Sequence, residues 1–274
     1  MSWLATLDPI LQAFLAGLFT WAITALGALL VVVRGIRSDA AFDAMLGFAS
    51  GVMLAASFWS LLAPAIEIAT LQHLVPWVPA AVGFAAGAVF LAAADRALPH
   101  LHPMRAIERA EGPRTTWSQT TLLILAITLH NIPEGLAVGV AFGALSAANQ
   151  TGVIEVTSLG AAVALAVGIG LQNFPEGAAV ALPLRAAGVG ARRAFLAGTA
   201  SAAVEPVAAV IGAAAVIEIS QLLPYALSFA AGAMVFVVLE ELVPLAHQRG
   251  RADVVSLSAV GGFMVMMILD VSLG

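Results

Sequence analysis

Eight apolar stretches of the sequence are each long enough to cross the hydrocarbon core of a bilayer as a helix, which takes about 20 mostly apolar residues. They lie near residues 9–33, 43–69, 76–98, 116–144, 155–184, 190–217, 222–246 and 253–273. Only 10% of the 274 residues are charged, whereas a soluble domain has about 25%. Because so few charged residues cannot cover a water-exposed surface, most of the exterior must face lipid. We therefore predict an all-α, polytopic membrane protein with eight transmembrane helices.

The composition excludes several functional classes. The chain contains no Lys and has a net charge of −5, which excludes a basic nucleic-acid binder. It contains no Cys, so a disulfide framework, a thiolate metal cluster and a cysteine nucleophile are all excluded. No His-Glu-x-x-His sequence is present, and we expect neither an enzyme nor a resident cofactor. No basic residue precedes Arg34, so we expect the first apolar segment to be a membrane helix rather than a cleaved signal peptide.

The arginines lie in or beside alternate connections between the eight stretches. All 11 basic residues fall within 34–37, 96–114, 185–193 and 249–251, and the intervening connections hold none. Cytoplasmic loops collect basic residues, so this pattern predicts both termini on the non-cytoplasmic side and a cytoplasmic loop at 99–115. The whole chain, 1–274, would form one transmembrane transporter domain, with helices 1–3 at 1–98, helices 4–5 at 116–184 and helices 6–8 at 190–273.

Two segments recur at one offset of 181 residues, which indicates an internal repeat. Phe14-Leu15-Ala16-Gly17 matches Phe195-Leu196-Ala197-Gly198, and the Leu, Phe, Ala, Gly and Met at 46, 48, 49, 51 and 53 match those at 227, 229, 230, 232 and 234. Since predicted helices 1 and 6 are five apart, the two copies would cross the membrane in opposite directions, as in many secondary transporters. With helices 4 and 5 between them, this predicts an inverted 3+2+3 repeat.

Helices 4 and 5 carry matching polar motifs, Asn131-Ile132-Pro133-Glu134-Gly135 and Asn173-Phe174-Pro175-Glu176-Gly177. His130 precedes Glu134 by four residues, and Gln172 precedes Glu176 likewise, so each pair shares a helix face. Glu205, beside Pro206, is a third acid within an apolar stretch. An ionised carboxylate at such a depth costs about 2.5–3.5 kcal/mol, and no Arg lies there to neutralise it. The remaining partners are protons or bound cations.

The donor types favour a divalent cation. Imidazole, carboxylate and amide oxygens together suit zinc, ferrous iron or manganese better than sodium. The alternative is that the acids are protonated and the amides bond across helix interfaces, but the repeated spacing favours the cation. Met53 would add a thioether, although methionine more often fills a core.

Acids nearer the helix ends would guide a cation in and out: Glu67, Asp95, Glu240 and Glu241. An acid at a helix end is commonly just a solvated group. The adjacent pair Glu240-Glu241 is the hardest of these to explain without a function.

The paired motifs and Glu205-Pro206 resemble those of the ZIP (Zrt/Irt-like) family of metal transporters, particularly its bacterial members. The resemblance spans nearly the whole chain. It implies uptake of zinc, or of cadmium, iron or manganese, into the cytosol across a bacterial plasma (inner) membrane. It also implies two adjacent metal positions, one formed by Met53, His130, Glu134, Gln172 and Glu176, and the other by Asn131, Glu134, Asn173, Glu176 and Glu205.

Asn173 departs from that family pattern, because related bacterial members commonly carry an acid at its position. The neutral amide removes a charge, so we expect the second position to bind weakly or only during transit. The expected mechanism is alternating access, with helices 1, 4, 5 and 6 moving against the others.

A rival from another class is a proton-coupled transporter of a small organic solute, which inverted repeats and buried acids would serve equally well. The expected partners in our reading are metal ions and the lipid bilayer. Gly and Ala abound on every helix, which is compatible with a homodimer but defines no unique dimer face.

Overall fold

The computed structural model describes residues 3–32, 39–99, 113, 115–151, 158–248 and 250–273. Within these ranges the regular structure is helical and contains no strand. The α-helices are α1 (Pro9–Leu29), α2 (Asp39–Ala56), α3 (Ala63–Leu71), α4 (Trp77–Ala97), α5 (Gln119–Thr151), α6 (Leu159–Ala186), α7 (Ala191–Ser201), α8 (Glu205–Glu218), α9 (Leu223–Val237), α10 (Val243–His247) and α11 (Ala252–Leu273). A helix satisfies its own backbone polar groups, which lipid cannot do. The predicted cytoplasmic loop at 99–115 lies mostly outside the described residues.

Seven helical segments of the described chain are long and apolar enough to cross a membrane: Pro9–Val32, Asp39–Leu71, Trp77–Ala97, Ile124–Ser146, Ala191–Glu218, Ser220–His247 and Ala252–Leu273. The predicted fifth helix is α6, whose 28 residues also exceed the length required. Three polar residues, Gln172, Asn173 and Glu176, lie within it. The all-α, polytopic membrane fold is confirmed, and the protein is an integral membrane protein.

Two of the predicted helices contain a π-helical turn at equivalent places in the repeat. Ser57–Leu62 connects α2 to α3, and Val238–Leu242 connects α9 to α10. The starts of these two turns are 181 residues apart, which is the offset found in the sequence. A proline in the first turn of α3 and of α10 donates no N–H, so the regular α-helical bonding pattern is interrupted at both places. π-helical turns within α-helices are frequent at functional sites.

The predicted sixth helix, 190–217, is not continuous. It consists of α7 and α8, which are separated by residues 202–204. Pro206 lies in the first turn of α8, where its missing N–H costs nothing. Glu205 is the first residue of α8, where a negative charge is favoured by the helix dipole. The break therefore places this acid at a helix start inside the protein.

Helix pairing follows the repeat. The four most extensive interfaces are α2 with α11, α4 with α9, α1 with α6, and α5 with α8. The internal repeat relates α2 to α9 and α11 to α4, so the first two interfaces are equivalent. It likewise relates α1 to α7 with α8, and α6 to α5, so the last two are equivalent. Hydrogen bonds obey the same relation: the Thr20 hydroxyl donates to the Gly17 carbonyl at 3.0 Å, and the Ser201 hydroxyl donates to the Gly198 carbonyl at 2.9 Å. A pseudo-two-fold relation thus extends to individual side chains.

The helices differ in how much of their surface is covered. Only 17% of an apolar 18-residue stretch of α11 and 28% of one in α4 is buried, compared with 67% of such a stretch in α5. Leu257, Val260, Ile268 and Val271 of α11 are exposed. The helices α4 and α11 are therefore peripheral, and α5 is central.

Glycines allow the peripheral helices to approach their neighbours closely. Gly262 of α11 lies against the backbone of Phe48, and Gly87 of α4 lies against the backbone of Phe229, which is the repeat counterpart of Phe48. Gly261, the residue before Gly262, has no atom of another helix within 4 Å of the position that a Cβ would occupy. Helix α11 therefore has one glycine in close contact with another helix next to one that is not.

We expect Gly262→Ala to lower the free energy of unfolding by about 1–3 kcal/mol, because the added methyl group forces α11 away from α2. Gly261→Ala is the matched control and should leave stability unchanged or raise it by up to about 1 kcal/mol through helix propensity. Thermal unfolding of both variants in one detergent measures the difference. Equal effects of the two substitutions would contradict the packing described here.

Candidate metal centre

The polar residues of the two matching motifs meet at the centre of the protein. His130, Asn131 and Glu134 lie near the middle of α5, and Gln172, Asn173 and Glu176 lie in α6. Glu205 begins α8, and Met53 lies in α2, which packs against α6. All eight side chains are buried: Met53, His130, Asn131, Glu134, Gln172, Asn173, Glu176 and Glu205.

Two adjacent amides of α6 bind acids on two other helices. The Gln172 amide donates to Oε1 of Glu134 on α5 at 2.8 Å. The Asn173 amide donates to both carboxylate oxygens of Glu205 on α8, at 2.9 and 3.0 Å. The carboxylate of Glu134 also interacts electrostatically with those of Glu176 and Glu205. The three glutamates therefore face one shared interior.

Close backbone contact between helices makes this convergence possible. Gly135 of α5, next to Glu134, lies against the backbone of Glu205. Gly177 of α6, next to Glu176, lies against the backbone of Thr24 on α1. Thr24 is the repeat counterpart of Glu205, so each motif glycine contacts the equivalent point on its partner helix. The final glycine of each motif brings the neighbouring acid close to the next helix.

Six buried side-chain oxygens of these motifs receive no hydrogen bond from the described residues. They are Oδ1 of Asn131, Oε2 of Glu134, Oε1 of Gln172, Oδ1 of Asn173, and Oε1 and Oε2 of Glu176. A buried acceptor without a donor costs about 1–3 kcal/mol, and more when it is charged. Since all six are acceptors, the group that satisfies them is a cation or a set of protons.

The donor set is mixed in chemical type. In the part of the chain that the structure describes, no three His, Asp or Glu side chains are grouped closely enough to hold a metal ion. Amide oxygens lie beside the carboxylates and His130 provides an imidazole nearby. This combination of nitrogen and oxygen donors fits a borderline divalent ion.

Of the four acids predicted to line a pathway, Glu241 lies closest to the site. One of its carboxylate oxygens lies 3.0 Å from Nε2 of His130. Asp95, which is partly buried, interacts electrostatically with His130. Glu67 and Glu240 are exposed. The adjacent pair Glu240-Glu241 therefore does not act as a unit, because only Glu241 faces the interior from the π-helical turn.

Sequence reasoning missed two neighbours of the site. Thr20 of α1, whose hydroxyl donates to the Gly17 carbonyl, interacts with the carboxylate of Glu205, and the Ser201 carbonyl at the end of α7 accepts a hydrogen bond from the Asn131 amide at 3.0 Å. That bond satisfies a carbonyl at a helix end. The 181-residue offset could have indicated both residues, because it relates Thr20 to Ser201.

The fold and the site define a polytopic membrane protein that holds carboxylate, amide and imidazole groups at the centre of its helices. The sequence matches the family described as ZIP Zinc transporter over residues 115–270, and the chain belongs to this family. It is 40% identical to the zinc transporter ZIP11 of Homo sapiens, with 97% of this chain and 98% of that protein covered.

Bacterial relatives match as well. Identity to the zinc transporter GufA of Myxococcus xanthus is 39%, covering 94% of this chain and 98% of that protein. Identity to the zinc transporter ZIPB of Bordetella bronchiseptica is 38%, covering 96% and 81% respectively. The resemblance to the ZIP family is confirmed, and it extends to vertebrate members as well as bacterial ones. Family membership also confirms that the chain is not an enzyme.

We expect Zn²⁺ or Cd²⁺ to raise the thermal stability of the purified protein. An ion present at a hundredfold excess over its Kd stabilises a folded protein by about 2.7 kcal/mol. Replacing both Glu134 and Glu176 with Gln should abolish the increase, because the charged acceptors are lost. Glu240→Gln, which changes an exposed acid, is the matched control and should keep the increase. A metal-induced shift that survives the double substitution would exclude these acids as ligands.

Proposed function

We propose that this protein carries zinc and related divalent ions across the membrane into the cytosol. The observation that supports this most directly is the group of six buried acceptor oxygens on α5 and α6, which a divalent ion would satisfy. Membership of the ZIP family and relatives named as zinc transporters support zinc as the cargo. Zinc, cadmium, iron and manganese are substrates in this proposal, not cofactors.

The cargo ion would be held by Met53, His130, Glu134, Gln172 and Glu176. The charged part of this set comes from two helices, α5 and α6, which present their acids at matching positions. A bare divalent ion cannot cross hydrocarbon. The imidazole and two carboxylates would replace part of the water shell of the ion and so allow it to pass. Because His130 must be neutral and the glutamates ionised to bind, protons would compete with the metal.

Alternating access is the proposed mechanism. Extensive interfaces join α1 with α6 and α5 with α8, and separate ones join α2 with α11 and α4 with α9. The first group carries all the candidate ligands except Met53, and the second would serve as a scaffold. Movement between two such groups would expose the site to either side in turn, as in other inverted-repeat transporters.

Glu241 is the proposed next ligand after the central site. Its carboxylate lies 3.0 Å from His130, and Asp95 lies within electrostatic range of the same imidazole. An ion leaving Glu134 and Glu176 would therefore meet another acid beside His130. Glu67 would attract ions at the opposite end, where it is exposed.

The arginine pattern supports a topology with both termini outside the cytoplasm, and the bacterial relatives support a location in a bacterial inner membrane. We place the whole chain in one transmembrane domain surrounded by lipid. The exposed apolar faces of α4 and α11 would contact lipid or, in a homodimer, a second copy.

Transport of a small organic solute is less well supported. A solute of that kind needs a cavity of about 300–1,000 Å³ with polar groups at its wall. Among the described residues, one groove of about 400 Å³ and another of about 330 Å³ are lined by none of the candidate ligands. Both are lined mostly by apolar residues.

Zinc uptake by proteoliposomes with a zinc-sensitive dye inside tests the proposed transport. We expect concentration-dependent uptake by the unchanged protein and a loss of at least tenfold in initial rate when Glu134 and Glu176 are both replaced with Gln. Empty liposomes give the background rate. Undiminished flux in the double variant would contradict the proposal.

A second measurement tests the proposed role of Glu241. In the same assay, Glu241→Gln should lower the initial rate several-fold, because it removes the acid that contacts His130. Glu240→Gln alters the next residue along the chain, whose side chain is exposed, and should have little effect. Equal rates in the two variants would exclude a pathway role for Glu241.

A further inference from the structure

The contact between Asn173 and Glu205 differs from every other contact in the site. One amide nitrogen donates to both oxygens of a single carboxylate, at 2.9 and 3.0 Å. Both side chains are completely buried. The Thr20 side chain interacts with the same carboxylate. Each oxygen of Glu205 therefore has a donor from the protein itself.

The orientation of the Asn173 amide follows from chemistry. A carboxylate offers only acceptors, so the amide must turn its NH₂ group towards Glu205 and its carbonyl oxygen away. An ion bound to Glu205 would have to take the place of this NH₂ group. It would also meet the hydrogens of the amide rather than its oxygen.

Several acceptor oxygens around Glu134 and Glu176, unlike those of Glu205, lack hydrogen-bond donors. With both acids ionised, Oε2 of Glu134 and both oxygens of Glu176 receive no hydrogen bond from the described residues, and neither does the carbonyl oxygen of Gln172. Oδ1 of Asn131 and of Asn173 are also without donors, but each is a neutral oxygen and adds no charge. The carboxylate oxygens without hydrogen-bond donors thus belong to Glu134 and Glu176, and these two carboxylates together carry enough charge for one divalent ion.

We propose that this chain binds a single divalent ion, at Glu134 and Glu176, and that the Asn173 amide occupies the place beside Glu205 that a second ion would need. This inference rests on the proposed function, since it specifies how many ions that site holds. The amide acts as a fixed internal partner that keeps Glu205 buried whether or not the cargo is present.

Equilibrium dialysis of the full chain tests the proposed stoichiometry. The protein is purified in detergent, stripped with a chelator and dialysed against increasing Cd²⁺, and bound metal is then measured by mass spectrometry. We expect saturation at one ion per chain. Saturation at two ions would overturn this inference and leave the proposed function standing, whereas no binding at all would also contradict the proposed function.

Asn173→Asp should change the stoichiometry to two, because a second carboxylate would then face Glu205 with no donor between them. Without metal, the two facing acids should lower the melting temperature below that of the unchanged protein, and Cd²⁺ should raise it by more than it does in the unchanged protein. A folded variant that still saturates at one ion would overturn the inference.

The matched control combines Asn173→Asp with Glu205→Gln. It exchanges the acid and the amide between the two positions and therefore keeps the charge of the unchanged protein. We expect it to saturate at one ion and to lack the metal-free destabilisation. If Asn173→Asp alone does not fold, the unchanged protein and this exchange variant still decide the question, because two ions in either of them would contradict the proposal.

Discussion

Burial of carboxylates in the middle of an apolar helical protein is the constraint on which the rest of this structure depends. Glu134, Glu176 and Glu205 are all buried, and each would be costly there without a partner. Hydrogen bonds from the protein lower this cost for two of the acids but not for the third. The Asn173 amide donates to both oxygens of Glu205 and the Gln172 amide donates to one oxygen of Glu134, whereas Glu176 keeps both of its oxygens free of protein donors. These free acceptors are the groups that the proposed cation would satisfy.

Small residues and internal symmetry hold the helices that carry these acids. The glycine that ends each motif contacts the backbone of the next helix, at Glu205 on one side and at Thr24 on the other. Because Thr24 and Glu205 are repeat counterparts, the same packing supports an acid in one half and a hydroxyl in the other. The scaffold is symmetric, but its chemistry is not. The asymmetry extends to the π-helical turns, where Glu241 and Ser60 are counterparts.

Several features of this arrangement were predictable from the sequence, and others were not. The apolar stretches predicted the helices, and the offset of 181 residues predicted which helices are equivalent. The offset could not show that α7 and α8 are separate, because an apolar stretch reads the same whether or not its backbone is continuous. It also could not distinguish Glu240 from Glu241: both are acids at one helix end, and only the π-helical turn decides which of them faces His130.

The sequence by itself determined that this chain is a membrane protein with a duplicated architecture and a buried polar centre, since hydropathy, spacing and motif repetition are local properties. Tertiary structure alone decided which acid is compensated and which is not. The partners of Gln172 and Asn173 lie 38 and 32 residues away along the chain. A hydrogen bond depends on distances of about 3 Å and on donor direction, and no linear pattern specifies either between residues on different helices.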